Sequence, residues 1–146
     1  MKLFTIGFTQ KNARKFFGLL QTNGIKTVVD IRLNNTSQLA AFAKGDDLKF
    51  FLTEFCAIDY IHDVTFAPTE ILLKDYKSKK ISWYDYEKEF DRIMLGRNIK
   101  KHILNKYANE DYVCLLCSEA QPNQCHRRLV ANIFKETLDD VEIVHL

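Results

Sequence analysis

Short apolar runs and stretches with a three-to-four-residue apolar period alternate along the chain. Lys2-Leu-Phe-Thr-Ile-Gly7 is the first run and predicts a strand closed by glycine. Ala13, Phe16, Phe17 and Leu20 then recur at helical spacing, with Thr9 as N-cap and Gly24 as stop. Lys26-Thr-Val-Val-Asp-Ile31 is β-branched and nearly all apolar, as a strand buried on both faces should be. It ends on Asp30 and Arg32. Asn34 to Gly45 reads as a polar loop, and Asp46 or Asp47 as the cap of a helix that carries Leu48, Phe51, Leu52 and Phe55.

Ile58 to His62 is the third strand. Asp63 to Lys80 has no clear period and holds Pro68, so a loop with at most a turn of helix is expected there, and with it a lid. Ser82 and Asp85 are spaced as a capping box, Asp standing for the usual Glu or Gln. The helix they open runs through Tyr86, Phe90, Ile93 and Met94, breaks at Gly96, and resumes through Ile99, Ile103 and Leu104 to Tyr107. Tyr112 to Cys117 is the fourth strand. A helix from Cys125 buries Leu129, Val130, Ile133, Phe134 and Leu138, and Val141 to His145 closes the chain. The order β-α-β-α-β-α-β-α-β implies a single Rossmann-like α/β domain with a mainly parallel sheet of five strands and helices on both faces.

Composition narrows the partners. The 146 residues, 47% hydrophobic and 27% charged, are those of one globular domain. A net charge of +2 falls short of a nucleic-acid binder's basic footprint. No run is long enough for a membrane span and no leader pattern is visible, so a cytoplasmic protein without membrane contact is expected. Cys56, Cys114, Cys117 and Cys125 are then free thiols or ligands rather than a disulfide framework.

Chemistry gathers in the final third. Ligands of open α/β sheets bind beyond the carboxyl ends of the strands, which here carry Gly7-Phe8-Thr9, Asp30 with Arg32, His62, Cys117 with Glu119, and His145. Cys125, His126 and Arg127 open a helix, where free N–H groups favour an anion and a thiolate. Arg32 and Arg127 are candidate anion forks, Glu119 or His126 a proton carrier, and Cys117 or Cys125 a nucleophile. The same charges also suit an ion-pair network that only holds loops together. Cys114-x-x-Cys117 with Cys125 and His126 imitates zinc spacing, yet a strand sends residues i and i+3 to opposite faces. No metal and no other cofactor is expected.

Thr5-Ile-Gly7, Val29-Asp-Ile-Arg32 and Leu116-Cys-Ser-Glu-(x5)-Cys125-His-Arg127, followed by a helix and Val144-His145, resemble the domain of unknown function 488 family. The resemblance covers essentially the whole chain. It implies an α/β domain of uncharacterised activity, with matched positions Asp30, Arg32, Cys117, Glu119, Cys125, His126 and Arg127. Two departures stand out. Phe8-Thr9 follows Gly7 where the family commonly has His-Ser, so Thr9 alone keeps a hydroxyl. Asn34-Asn35-Thr36-Ser37 replaces a proline and serine, of which Ser37 is retained.

Two functions follow. In the first, a Cys/Glu/His/Arg site at the sheet edge recognises a small anionic ligand and acts on a phosphorylated or nucleotide-like substrate, with Asp30, Arg32, Ser37, Arg127 and Thr9 as the binding set. In the second, a non-catalytic module binds nucleic acid or a protein partner through basic patches at Arg14-Lys15, Lys77 to Lys80 and Arg97 to Lys106.

Overall fold

The structure, a computed structural model, describes residues 1–36 and 40–146. Five parallel strands form one sheet: β1 (Lys2–Gly7), β2 (Thr27–Asp30), β3 (Asp59–His62), β4 (Val113–Cys117) and β5 (Glu142–His145). Their spatial order is β3-β2-β4-β1-β5. The chain steps one way from β1 through β2 to β3, then reverses to place β4 between β2 and β1 and β5 beyond β1. With right-handed crossovers, that reversal sends helices to opposite faces.

The packing matches. Helices α1 (Ala13–Thr22) and α2 (Gly45–Cys56) bury Phe16, Leu20, Leu48 and Leu52 against Phe4, Ile6 and Val28 on one face. On the other, α3 (Glu70–Lys77), α4 (Trp83–Gly96), α5 (Ile99–Tyr107) and α6 (His126–Thr137) bury Phe90, Ile103, Val130 and Phe134 against Leu3, Val29 and Leu115. Every β4 side chain is buried, as its apolar run predicts. Among the described residues no helix is long and apolar enough to cross a membrane.

Local chemistry moves several element boundaries. Helix α1 is capped by Asn12, whose side chain accepts from the Lys15 amide, and not by Thr9. Asp46 and Asp47 lie inside the first turn of α2, where they oppose the positive end of the dipole instead of capping it. The Ser82–Asp85 capping pair forms as expected. The stretch expected as a loop holds a 3-10 turn, Val64–Phe66, and helix α3, which Thr69 caps by accepting from Leu72. Phe51, expected on a core face, is only half-buried, and Phe55 and Leu104 are exposed. Phe17, Phe42, Phe50, Phe51 and Phe55 pack on one another edge-on or tilted.

His102, which its lysine-rich run suggests is solvated, is instead drawn into a buried network. The Asp63 carboxylate is 4% exposed and accepts from Tyr107 Oη at 2.6 Å, His102 Nε2 at 2.9 Å and Lys106 Nζ at 2.9 Å. Burial alone would raise this carboxyl. The bonds from Tyr107, His102 and Lys106 outweigh burial and hold it well below the usual carboxylate range. A group lowered in this way stabilises the fold above its unfolded pKa of about 3.9, and that stability is lost as pH falls toward the folded value. Urea denaturation is therefore expected to show stability falling below about pH 4, with a shallower fall in Asp63→Asn. Equal slopes in the two proteins would show that the acid sensitivity arises elsewhere.

Candidate functional site

Strands β2 and β4 are neighbours whose onward connections leave in opposite directions. Such a reversal opens a crevice at the carboxyl ends of the strands. A cleft of about 140 Å³ lies there, reached by Arg32 and Asn34 after β2 and by Cys117, Ser118 and Glu119 after β4.

The loop from Ser118 to Gln124 is held from below. Arg127, on the first turn of α6, has no exposed surface. It donates through Nη1 to the Glu119 carbonyl and through Nη2 to the Ala120 carbonyl at 3.2 Å. The structure thus places Arg127 beneath the loop and not in the cleft. Gly7 makes that position available, because a Cβ there would overlap the Glu119 carbonyl and crowd Arg127 Nη1. Thr9 donates its hydroxyl and its amide to the Ser118 carbonyl, so it too fastens the loop.

Above this clamp sit two thiols and an imidazole. Cys117 Sγ is 3.5 Å from His126 Nδ1. His126 Nε2 lies 2.9 Å from the Ile31 carbonyl, which can only accept, so Nε2 donates and the neutral ring keeps its lone pair at Nδ1. The sulfurs of Cys117 and Cys125 and a ring nitrogen of His126 lie within 4.8 Å of one another, all three residues buried. The neighbouring Cys125 thiol lowers the Cys117 thiol pKa; burial opposes this, and the Ser118 and Glu119 amides and the Arg127 charge assist. The same pairing, with burial, pushes the Cys125 thiol up. Cys114 faces away, buried in the core beneath α1 and α2. The divergence of Cys114 from Cys117 is therefore real, but the remaining three donors close together without it.

Arg32 is 3% exposed and grips Asp30 with two bonds, Nε to Oδ1 at 2.8 Å and Nη2 to Oδ2 at 2.7 Å. Burial would lower the guanidinium pKa; the bonds and charge of Asp30 raise it. Tyr60 donates to Asp30 Oδ2 at 2.6 Å, and the Phe8 ring lies 5.3 Å from the guanidinium carbon. Phe8 thus covers the cation. Arg32 Nη1 is buried and has no hydrogen-bond partner among the described residues. Buried guanidinium N–H groups are seldom left unpaired, so this one calls for an acceptor.

The opposite wall comes from residues that periodicity assigned to loop or core. Tyr76 on α3 and Trp83 and Tyr86 on α4 pack with ring centroids 4.9 to 5.5 Å apart and line the cleft. Tyr76 also donates to the Gln124 side chain, tying α3 to the cysteine loop. Trp83, the sole tryptophan, directly follows a helix cap and was the one sequence signal of this wall. Glu119 is exposed at the rim. His62 bonds the Arg32 carbonyl, whereas His145 bonds Thr5 on the edge strand pair, outside the cleft. Ser37 lies outside the described residues. Of the basic patches, Lys100 pairs with Glu136 and Lys106 with Asp63.

A family model for a domain of unknown function, DUF488, matches residues 12–134. The chain belongs to that family. The match takes in Asp30, Arg32 and the whole Cys117–Arg127 loop, which line or support the cleft. Neither a curated protein nor a solved structure matches the chain.

Proposed function

We propose that this DUF488 protein is an enzyme that transfers a phosphoryl group from a nucleotide-like substrate to water through Cys117. The observation that carries the reading is one cleft lined both by a Cys117–His126 pair at 3.5 Å and by Arg32, whose buried Nη1 has no hydrogen-bond partner among the described residues. Arg32 Nη1 donates to a phosphoryl oxygen, a charge-assisted bond that Asp30 orients. The Tyr76–Trp83–Tyr86 wall receives a planar base. Glu119 at the rim accepts from substrate hydroxyls.

Cys117 Sγ attacks phosphorus while its proton passes to His126 Nδ1. The P–O bond to the leaving group breaks, and Nδ1 returns the proton to that oxygen. Water then attacks the S–P bond and gives a proton by way of Nδ1 to the departing sulfur, which releases phosphate and restores the thiol. Nothing further is consumed. Four free thiols favour a reducing compartment such as the cytoplasm.

The test is phosphate release from nucleoside monophosphates by chelator-treated protein, with iodoacetamide labelling mapped by mass spectrometry. Labelling at Cys117 and release that falls about 100-fold in His126→Ala are expected. Release that survives Cys117→Ser, or a folded protein whose Cys117 resists labelling, would refute the thiol mechanism.

A further inference from the structure

The geometry points to a zinc-type divalent metal site formed by Cys117 Sγ, Cys125 Sγ and His126 Nδ1, with its fourth position open to the cleft. Zinc bonds of about 2.3 Å to sulfur and 2.0 Å to nitrogen, set tetrahedrally, place a sulfur and a nitrogen donor about 3.5 Å apart and two sulfurs about 3.8 Å apart. Cys117 Sγ and His126 Nδ1 already stand at 3.5 Å. No pair in the trio exceeds 4.8 Å, so side-chain shifts of about 1 Å complete the triangle.

The surroundings support the donors independently. Metal-bound histidines are usually steadied by a hydrogen bond from their other ring nitrogen, and the Ile31 carbonyl does this for Nε2, leaving Nδ1 as ligand. Arg127 Nη1 is 3.8 Å from Cys125 Sγ, placed to donate to a metal-bound sulfur. Two thiolates balance the charge of one divalent ion, and the nearby Arg32 charge is already neutralised by Asp30. Soft sulfur with imidazole selects zinc over magnesium or calcium. Three protein ligands with an open position is the pattern of a site that exchanges water or substrate, not of a closed structural one.

The inference does not depend on Cys117 acting as a nucleophile. If both hold, they exclude each other in time, since a metal on the trio takes the Nδ1 lone pair that would receive the Cys117 proton. Zinc then switches off the thiol reaction.

The experiment titrates zinc ion into chelator-treated protein against a chromophoric competitor. Cobalt substitution in parallel reads the ligands from its sulfur-to-metal absorption. One zinc per chain is expected, with thiolate absorption in the cobalt form. Affinity should fall at least about 100-fold in Cys125→Ser and in His126→Ala and stay unchanged in Cys56→Ser. Circular dichroism confirms that each variant is folded. An unfolded His126→Ala leaves the near-isosteric Cys125→Ser and the wild-type cobalt spectrum to decide. Absence of zinc uptake by wild type, uptake undiminished in folded Cys125→Ser, or a cobalt form without thiolate absorption each overturns the site. Failure of the phosphoryl-transfer reading shows separately, as an unreactive Cys117 in the metal-free protein.

Discussion

Gly7→Ala is expected to destabilise the protein by at least about 3 kcal/mol, the upper range of overpacking costs. The added methyl meets the backbone carbonyl of Glu119 and the Arg127 guanidinium on one side, and Gly7 is itself hydrogen-bonded into the centre of the sheet opposite Cys117. Neither partner can yield cheaply. The carbonyl belongs to a loop tied at both ends, and Arg127 is fully buried. Gly18→Ala on α1 is the natural control, because nothing lies near its Cβ and alanine suits a helix better by about 0.5 to 1 kcal/mol. Urea denaturation of the two variants should give shifts of opposite sign. A Gly7→Ala protein as stable as wild type would mean that the loop is free to lift off β1, and the clamp would lose its significance.

Arg127→Met should cost about 3 kcal/mol. Methionine keeps the apolar stem but removes the donors to the Glu119 and Ala120 carbonyls, each bond from a charged group being worth about 1.5 to 3 kcal/mol. Arg127 Nε, buried without a partner among the described residues, already carries a desolvation cost, which offsets part of the loss. The loss should concentrate in the loop, so amide exchange over residues 118–124 should accelerate more than exchange in β4. Uniform acceleration would place Arg127 among ordinary core residues. If stability is unchanged, water or other donors satisfy the two carbonyls equally well.

How much of this was legible depends on the kind of constraint. β2 and β4 declare themselves because a strand buried on both faces must be apolar throughout, as Val28-Val29 and Val113 to Cys117 are. Helix α3 hid because Leu72 is its one fully buried residue, and an eight-residue helix with charged Glu70, Lys74 and Asp75 shows no stripe to read. The strand order was not legible, since it arises from pairings between residues far apart in the chain. For the site, residue types were readable but directions were not. Spacing puts Cys125, His126 and Arg127 in one turn. It does not say that His126 turns toward Cys117 while Arg127 dives beneath the loop. The aromatic wall required α3 and α4 to meet over the cysteine loop, a tertiary event with no local code beyond Trp83.

The interior place of β1, between β4 and β5, has a consequence for biosynthesis. Both of its sheet partners are late in the chain: Leu3 pairs with Val113 on one side and Ile143 on the other. As the polypeptide leaves the ribosome, β1 has no strand to join until β4 emerges, and β2 with β3 waits beside an empty slot. Such distant pairings slow folding and leave apolar strands open to wrong partners in the interval. A cell would therefore gain most from a chaperone that shields Leu3, Phe4 and Ile6 during synthesis. The cluster of Cys117, Cys125 and His126 assembles late, when almost the whole chain is available to enclose it.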